Sequence, residues 1–371
     1  MLHNGSNVFT TGATGLIGGE LVRTLITQPI GKVWALVRPT DDSPAERLSQ
    51  RLRRSGPSAA VPAQRFPVAV AGDVTQERLG MSPEDYEDVR RNVDIIIHSA
   101  AETSFLRASA CRSTNIAGAK NLIEFTRQCT RRPLLVCLST AFVSGVVANA
   151  CLSEDEGCRP KDDHHNEYTH SKAVAEELVR SSGLPVLVVR PSVVLSAGVP
   201  DEQFARAILQ FCPLLKELGA LPVDPQARPD VVPVQFVVDS TIRLLQTPHR
   251  RYDLYHISCG LDGAMTYEEL RPAFERFYHM TSPMRLVAPR HWNKDLHRTY
   301  IRTPDQRRIF ATIKNYLPFL NMNVLFDNTR LKQELGDRFP PLPRLDEYLF
   351  GLLEMVSHDR IARRWLAAKG A

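Results

Sequence analysis

Asn7-Val-Phe-Thr-Thr-Gly-Ala-Thr-Gly-Leu-Ile-Gly-Gly-Glu-Leu-Val22 is the stretch whose reading decides the fold. A short apolar, β-prone run, Val8-Phe9, leads into Gly12, Gly15 and Gly18. An amphipathic helix pattern follows, with Ile17, Leu21, Val22, Leu25 and Ile26 on one face. Strand, glycine turn and helix make a dinucleotide site. Glycines let the backbone approach a pyrophosphate, and the helix N-terminus supplies amide donors and a positive dipole end. The spacing is Gly-x-x-Gly-x-x-Gly rather than Gly-x-Gly-x-x-Gly. Three glycines alone also suit a plain tight turn, and it is the flanking strand and helix that favour the cofactor reading.

Outward from this stretch the alternation continues. Lys32 to Val37, Val68 to Val74, Val93 to His98, Leu134 to Leu138 and Val186 to Arg190 read as buried strands, and Ala108 to Cys129 as a long helix. Such regularity implies an α/β protein with a Rossmann-type, doubly wound parallel sheet. Residues 1–195 form the expected dinucleotide-binding domain. After Leu195 the alternation is lost, and 196–371 reads as a smaller, mostly helical substrate-binding region. Its segment 233–260 is expected to return to the main sheet through Tyr255-His-Ile-Ser. Ser55 to Pro67 reads as a loop, Pro213 to Pro233 as irregular, and Thr266-x-x-Glu269 as a helix start. The amphipathic face of Leu345 to Met355 suits packing on the domain better than a membrane or partner.

With 371 residues, 43% apolar and 23% charged, the composition is that of a globular protein. The net charge of +5 excludes a strongly basic nucleic-acid binder. Arginine clusters (Arg51 to Arg54, Arg131-Arg132, Arg250-Arg251, Arg307-Arg308, Arg363-Arg364) are scattered and read as solvated surface. The sharper alternative is a taste for phosphorylated or acidic partners, such as coenzyme A or a carrier protein. Seven cysteines lack any C-x-x-C pair and read as reduced thiols of a cytosolic protein, with neither zinc site nor disulfide framework. Neither a secretory signal nor an apolar run of about 18 residues is visible, so a soluble, cytoplasmic protein is expected.

Individual residues carry chemistry. Arg38 ends the second strand, where an acidic residue would hold a ribose and an arginine can pair with a 2′-phosphate. It argues for NADP(H), with Arg47 as a second clamp; an ordinary strand-capping arginine is the bland alternative. Asp73 ends the third strand, where it can accept from adenine or cap the next turn. Ala100-Ala101 follows the fourth, small enough to let ribose and phosphates lie on backbone. Tyr168 and Lys172, four apart at a helix start, share one face. An ammonium beside the phenol would lower its pKa and suit it to protonate an alkoxide. Alone the pair is a common accident of solvated helices; the Ser139-Thr140 that precedes it favours chemistry.

These residues together resemble the extended short-chain dehydrogenase/reductases, and within them the thioester reductase and fatty acyl-CoA reductase (male sterility-like) branch. The likeness rests on Thr11-Gly-Ala-Thr-Gly-Leu-Ile-Gly18, Ala35-Leu-Val-Arg38, Gly72-Asp73-Val74, His98-Ser-Ala-Ala-Glu-Thr-Ser-Phe105, Ser139-Thr140-Ala141, Tyr168-x-x-Ser-Lys172 and Val189-Arg-Pro-Ser192. Asp230 to Asp239 and Phe326 to Leu331 extend it thinly. Val147 to Asn166 lengthens the usual segment, and Ser196 stands where glycine is frequent. The resemblance implies Tyr168 as acid and Lys172 as its tuner and ribose ligand. It implies Thr140 as a hydrogen-bond partner of the substrate oxygen, with Ser139 a weaker candidate. Asn115 would be structural or a proton relay. NADPH would meet Thr11, Gly12, Thr14, Gly15, Leu16, Ile17, Gly18, Arg38, Arg47, Asp73, Val74, Ala100, Ala101, Lys172, Pro191 and Val193. The implied substrate is an acyl thioester, on coenzyme A or a carrier protein, reduced to aldehyde or on to alcohol. A ketone or alcohol dehydrogenase, a nucleotide-sugar epimerase or dehydratase, and a non-catalytic dinucleotide sensor are the alternatives. An intact Thr140, Tyr168 and Lys172 speaks against the last.

Overall fold

A computed structural model describes residues 1–54, 66–197, 212–314 and 316–357. Most of the loop read at Ser55 to Pro67, and the Arg363-Arg364 pair, lie outside these residues.

In chain order, β1 (Val8–Thr11), α1 (Leu16–Leu25), β2 (Val33–Val37), α2 (Pro44–Arg54), β3 (Val68–Ala71), α3 (Pro83–Asn92) and β4 (Ile95–His98) come first. The helix read at Ala108 to Cys129 is interrupted: α4 (Ala108–Cys111) passes through a π-helical stretch, Arg112–Ala117, into α5 (Gly118–Gln128). Then come β5 (Leu134–Leu138), β6 (Ala150–Leu152), α6 (Glu167–Arg180), β7 (Val186–Pro191) and β8 (Val193–Leu195). β9 (Ala220–Leu221), β10 (Val231–Pro233), β11 (Leu254–Ile257), β12 (Arg285–Leu286) and β13 (Val324–Phe326) complete the strands.

Seven parallel strands form the main sheet in the order β11-β7-β5-β4-β1-β2-β3. Every residue of β1, β2 and β4 is buried, as covering on both faces requires. Leu21 and Leu25 of α1, Leu48 and Leu52 of α2, and Phe236 and Val237 of the helix Val234–Gln246 pack on one face. Tyr86 of α3, Phe125 of α5 and Val179 of α6 pack with Phe9 and Trp34 on the other. The chain reverses direction of winding between β1 and β4, and a ligand crevice forms at the carboxyl ends of strands at such a point.

Beyond β8 the chain is mostly helical. A capping box of Thr266 and Glu269 starts the helix Tyr267–Phe277, as the sequence pattern indicates. The stretch read as irregular holds β9 and β10, whose partners are β12 and β8. The lengthened segment is pinned through β6, which pairs with β13. Leu349 and Leu353 of the helix Leu345–Ser357 are buried against Leu270 and Ala273, so its apolar face is covered within the chain. Among the described residues no helix is long and apolar enough to cross a membrane.

Candidate active site

Close backbone contact explains the glycines. Gly12 has φ +75°, and a Cβ there would lie 2.5 Å from the Ala100 nitrogen. A Cβ on Gly18 would lie 2.2 Å from the Gly12 carbonyl oxygen. The turn is closed by the Gly15 amide donating to the Gly12 carbonyl at 2.9 Å. Gly15 then caps α1 with no side-chain acceptor, which leaves first-turn amides to a ligand. Thr11, by contrast, is fully buried; its hydroxyl meets His98 Nδ1 at 2.8 Å and accepts from the Ala100 amide at 3.3 Å. It builds the floor.

A cleft of about 500 Å³ opens above this turn. Of the residues expected around a dinucleotide, Thr11, Gly12, Thr14, Gly15, Arg38, Arg47, Asp73, Val74, Ala100 and Ala101 line it. Leu16, Ile17 and Gly18 form the first turn of α1 instead, Pro191 and Val193 lie on β7 and β8, and Lys172 lies on α6; none of the six borders the cleft. Arg38 is exposed at the end of β2, and the Arg47 guanidinium donates to its carbonyl. Asp73 Oδ1 accepts from the Thr75 amide at 2.9 Å, the turn-capping role, while still facing the cleft. This cradle fits a dinucleotide, with open amides at the glycine end and the cations Arg38 and Arg47 at the other.

One arginine was read wrongly from sequence. Arg51 belongs to no solvated cluster: its side chain is 4% exposed. Nε donates to the Gly15 carbonyl at 3.2 Å, and Nη2 donates to the Leu16 carbonyl at 3.1 Å and Glu20 Oε1 at 3.0 Å. A Cβ on Gly19 would strike this guanidinium. Only the helical spacing of α2 against α1, not any local pattern, brings it there.

The expected acid–base residues gather beside the sheet's switch point. The Thr140 hydroxyl stands beside the Tyr168 phenol; it donates to the Pro191 carbonyl at 3.5 Å and caps the 3-10 turn Ala141–Ser144 by accepting from the Phe142 amide at 3.4 Å. Burial pushes the Tyr168 phenol up to about 12, with Thr140 opposing. This reverses the expected lowering by Lys172. The lysine is buried and its Nζ donates to the Leu138 carbonyl at 2.6 Å, and desolvation outweighs any help it gives the phenolate. The same desolvation lowers the pKa of Lys172 itself.

Asn115 sits in the π-helical stretch. Its Nδ2 donates to the Glu102 carbonyl at 3.0 Å and Ser171 Oγ at 2.9 Å, and its Oδ1 accepts from the Glu102 amide at 2.9 Å. It braces α6 against the loop after β4. Ser139 is turned away from Tyr168: its hydroxyl donates to Glu176 Oε2 at 2.6 Å, which removes it from the oxygen-binding role. Glu176 is also held by Arg190 at 2.6 Å with both side chains fully buried, and Arg190 Nη1 donates to the Glu156 carbonyl at 3.0 Å. The Arg-Pro motif thus ties α6 to the lengthened segment.

Sequence reading missed an aromatic wall. The Tyr168 ring stacks on Phe105 at 6.2 Å, and Phe105 meets Tyr316 at 5.5 Å and Phe319 at 5.0 Å. Phe142 and His165 close on Phe319 at 6.2 and 5.1 Å. Tyr316 and Phe319 come from the short helix Leu317–Leu320 and its cap, in a region whose sequence has no strong pattern.

Comparison with known proteins places this site in a family. Nonribosomal peptide synthetase asaC of Aspergillus flavus is 28% identical, over 67% of this chain and 26% of its own. A Drosophila melanogaster protein bearing a fatty acyl-CoA reductase name is 27% identical, over 64% of this chain and 54% of its own. The chain thus spans about a quarter to about half the length of these curated relatives. The terminal R domain from the myxalamid PKS-NRPS pathway has the same fold, with a TM-score of 0.78, 23% identity and coverage of 95% of this chain and 92% of that one. The NAD-binding male sterility protein family matches residues 10–241. That match spans more than half of the chain and takes in the cleft's glycines together with Tyr168 and Lys172, which makes the chain a member of the male sterility protein family.

Proposed function

We propose that this protein is an NADPH-dependent reductase that converts an acyl thioester to an aldehyde, the acyl group being held on coenzyme A or a carrier protein. The observation that carries the reading is the Tyr168 phenol, with the Thr140 hydroxyl beside it, set at the foot of an apolar aromatic wall and next to a dinucleotide cleft. Gly12, Gly15 and the first turn of α1 would hold the diphosphate, Arg38 and Arg47 the 2′-phosphate, and Asp73 the adenine. Lys172 would reach the nicotinamide ribose. NADPH supplies a hydride to the thioester carbonyl when bound.

This chain's own residues do the rest. Thr140 and Tyr168 donate hydrogen bonds to the carbonyl oxygen, where negative charge develops. Tyr168, kept protonated by burial, passes its Oη proton to that oxygen. The aromatic wall excludes water and aligns the acyl chain. Collapse of the resulting thiohemiacetal breaks the C–S bond and releases thiol and aldehyde. The aldehyde can take a second hydride and leave as alcohol.

The test is to supply NADPH with long-chain acyl-CoA, ketones and nucleotide sugars, following cofactor absorbance and free thiol. One thiol released per NADPH oxidised is expected at the aldehyde stage. Turnover with a ketone or sugar but no thiol from any thioester overturns the proposal. Replacing Arg38 by Ala should weaken NADPH far more than NADH; equal loss of both removes its assigned role.

A further inference from the structure

The chain's positive charge is concentrated. Between positions 285 and 314 stand eight Lys or Arg against two Asp, a net of +6 in a chain whose total is +5, so the remainder carries −1. All eight cationic side chains are exposed. Apart from Arg308, none of them forms an ion pair with another described residue. Lys294, Arg298, Arg307 and Arg308 stand on the helices Lys294–Tyr300 and Pro304–Ile313, with Arg302 on the link between them and Lys314 capping the second, while Arg285 and Arg290 precede the pair.

The opposite side of this helix pair is apolar and closed. Ile301, Ile309 and Ile313 are buried in a small core, and Phe310 packs on Trp292 at 6.1 Å and His297 at 4.8 Å. Lys294 and Arg298 lie four apart on one helix face, and Arg307 Nη1 donates to the Arg302 carbonyl at 2.8 Å, tying the second helix to the link that precedes it. Repulsion among unpaired like charges makes such a face costly unless a partner neutralises it. Along the chain the face is followed closely by the site's aromatic wall. Directly after this helix pair, Tyr316 and Phe319 lie on Phe105, which stacks on Tyr168.

Building on the thioester reductase reading, we infer that this basic face of 285–314 docks an acidic carrier domain and presents its pantetheine-linked acyl group to the aromatic mouth. Complementary charge at a rim acts mainly on encounter rate and salt dependence. Recognition therefore resides outside the reaction site, and a thioester lacking the protein carrier bypasses it.

The probes are one acyl group carried on an acyl carrier protein and the same group on N-acetylcysteamine, which is small and uncharged. The variants are the triple charge reversal Arg298→Glu/Arg302→Glu/Arg307→Glu and its milder Gln counterpart. For the reversal, KM toward the carrier-linked substrate should rise about tenfold or more, with the Gln form intermediate. KM toward the small thioester should stay at the wild-type value, which also reports that the variants are folded. Raising salt from about 0.05 to about 0.5 M should mimic the reversal for the carrier-linked substrate alone. Equal effects on both substrates, or none on the carrier-linked one, overturn the docking face. Failure of the wild type to release thiol from either substrate overturns the thioester reading itself.

Discussion

Arg51 connects two jobs that a single side chain rarely combines. Its planar fork holds the Gly15 and Leu16 carbonyls at the start of α1 and pairs with Glu20, so the shape of the phosphate turn depends on a buried cation. Arg51→Met keeps the stem and removes the fork. Losing one partner of a buried pair costs about 3–5 kcal/mol, a loss that Arg23, 2.8 Å from Glu20, only partly offsets. A lower melting temperature and a weaker NADPH affinity are expected together. Arg51→Lys should recover less than half of each, because a point charge cannot reach two carbonyls and a carboxylate. Normal melting and binding in Arg51→Met would refute this. Tyr168 makes a second case at this scale. Its phenol, raised to about 12, should stay protonated through neutral pH, so kcat for reduction should be flat from about pH 7 to about pH 9. Tyr168→Phe should lower kcat by about a hundredfold or more at unchanged NADPH affinity. An alkaline limb near neutrality that vanishes in Tyr168→Phe would show that the bound state lowers this pKa after all.

Elements whose cause is local were legible in the sequence, and those whose cause is distant were not. β5 runs from Leu134 to Leu138, as its unbroken apolar run indicates, and the Thr266–Glu269 capping box closes as spaced. The helix with Tyr168 begins a residue earlier than the tyrosine, because Asn166 accepts from the Thr169 amide as N-cap. The π-helical stretch around Asn115 leaves no mark on hydrophobic periodicity; it is set by Glu102 and Ser171, one from a loop and one from α6. Ser139 and Thr140 are adjacent and chemically alike, and it is the buried Glu176–Arg190 pair that takes the Ser139 hydroxyl, while Thr140 holds only a long bond to the Pro191 carbonyl at 3.5 Å. The wall of Phe105, Tyr316 and Phe319 depends on a short helix far along the chain. Because Phe319 touches Phe105, Phe142 and His165, Phe319→Ala should widen the mouth. Relative kcat/KM should move about tenfold toward branched or aromatic acyl groups over straight ones, with NADPH affinity unchanged. An unaltered acyl preference would mean that the wall does not contact substrate.

Stability of the molecule as a whole should carry the signature of two buried histidines on the main sheet. His98 ends β4 and His256 lies on β11, and both are held at about 3. Burial is the main cause in each, and a nearby cation, Lys172 for His98 and Arg190 for His256, adds to it. The ordinary value is 6.5, so between about pH 6.5 and about pH 3 the unfolded chain binds protons that the folded chain refuses. Stability is therefore full above 6.5 and falls as pH drops toward 3, by about 1.4 kcal/mol per pH unit for each histidine. Asp230 and Glu154 work the other way. Burial raises both carboxyls, so the folded state holds their protons longer and part of the acid loss is offset. The slope, rather than the absolute stability, isolates the histidines. In denaturant titrations at a series of pH values, His98→Gln and His256→Gln should each flatten the acid limb by about one proton, even though loss of the Thr11 contact at 2.8 Å or the Asp327 carbonyl contact at 3.1 Å lowers stability at neutral pH. An acid limb as steep in the double variant as in the wild type would place the proton uptake elsewhere and show that neither ring is held neutral by the sheet.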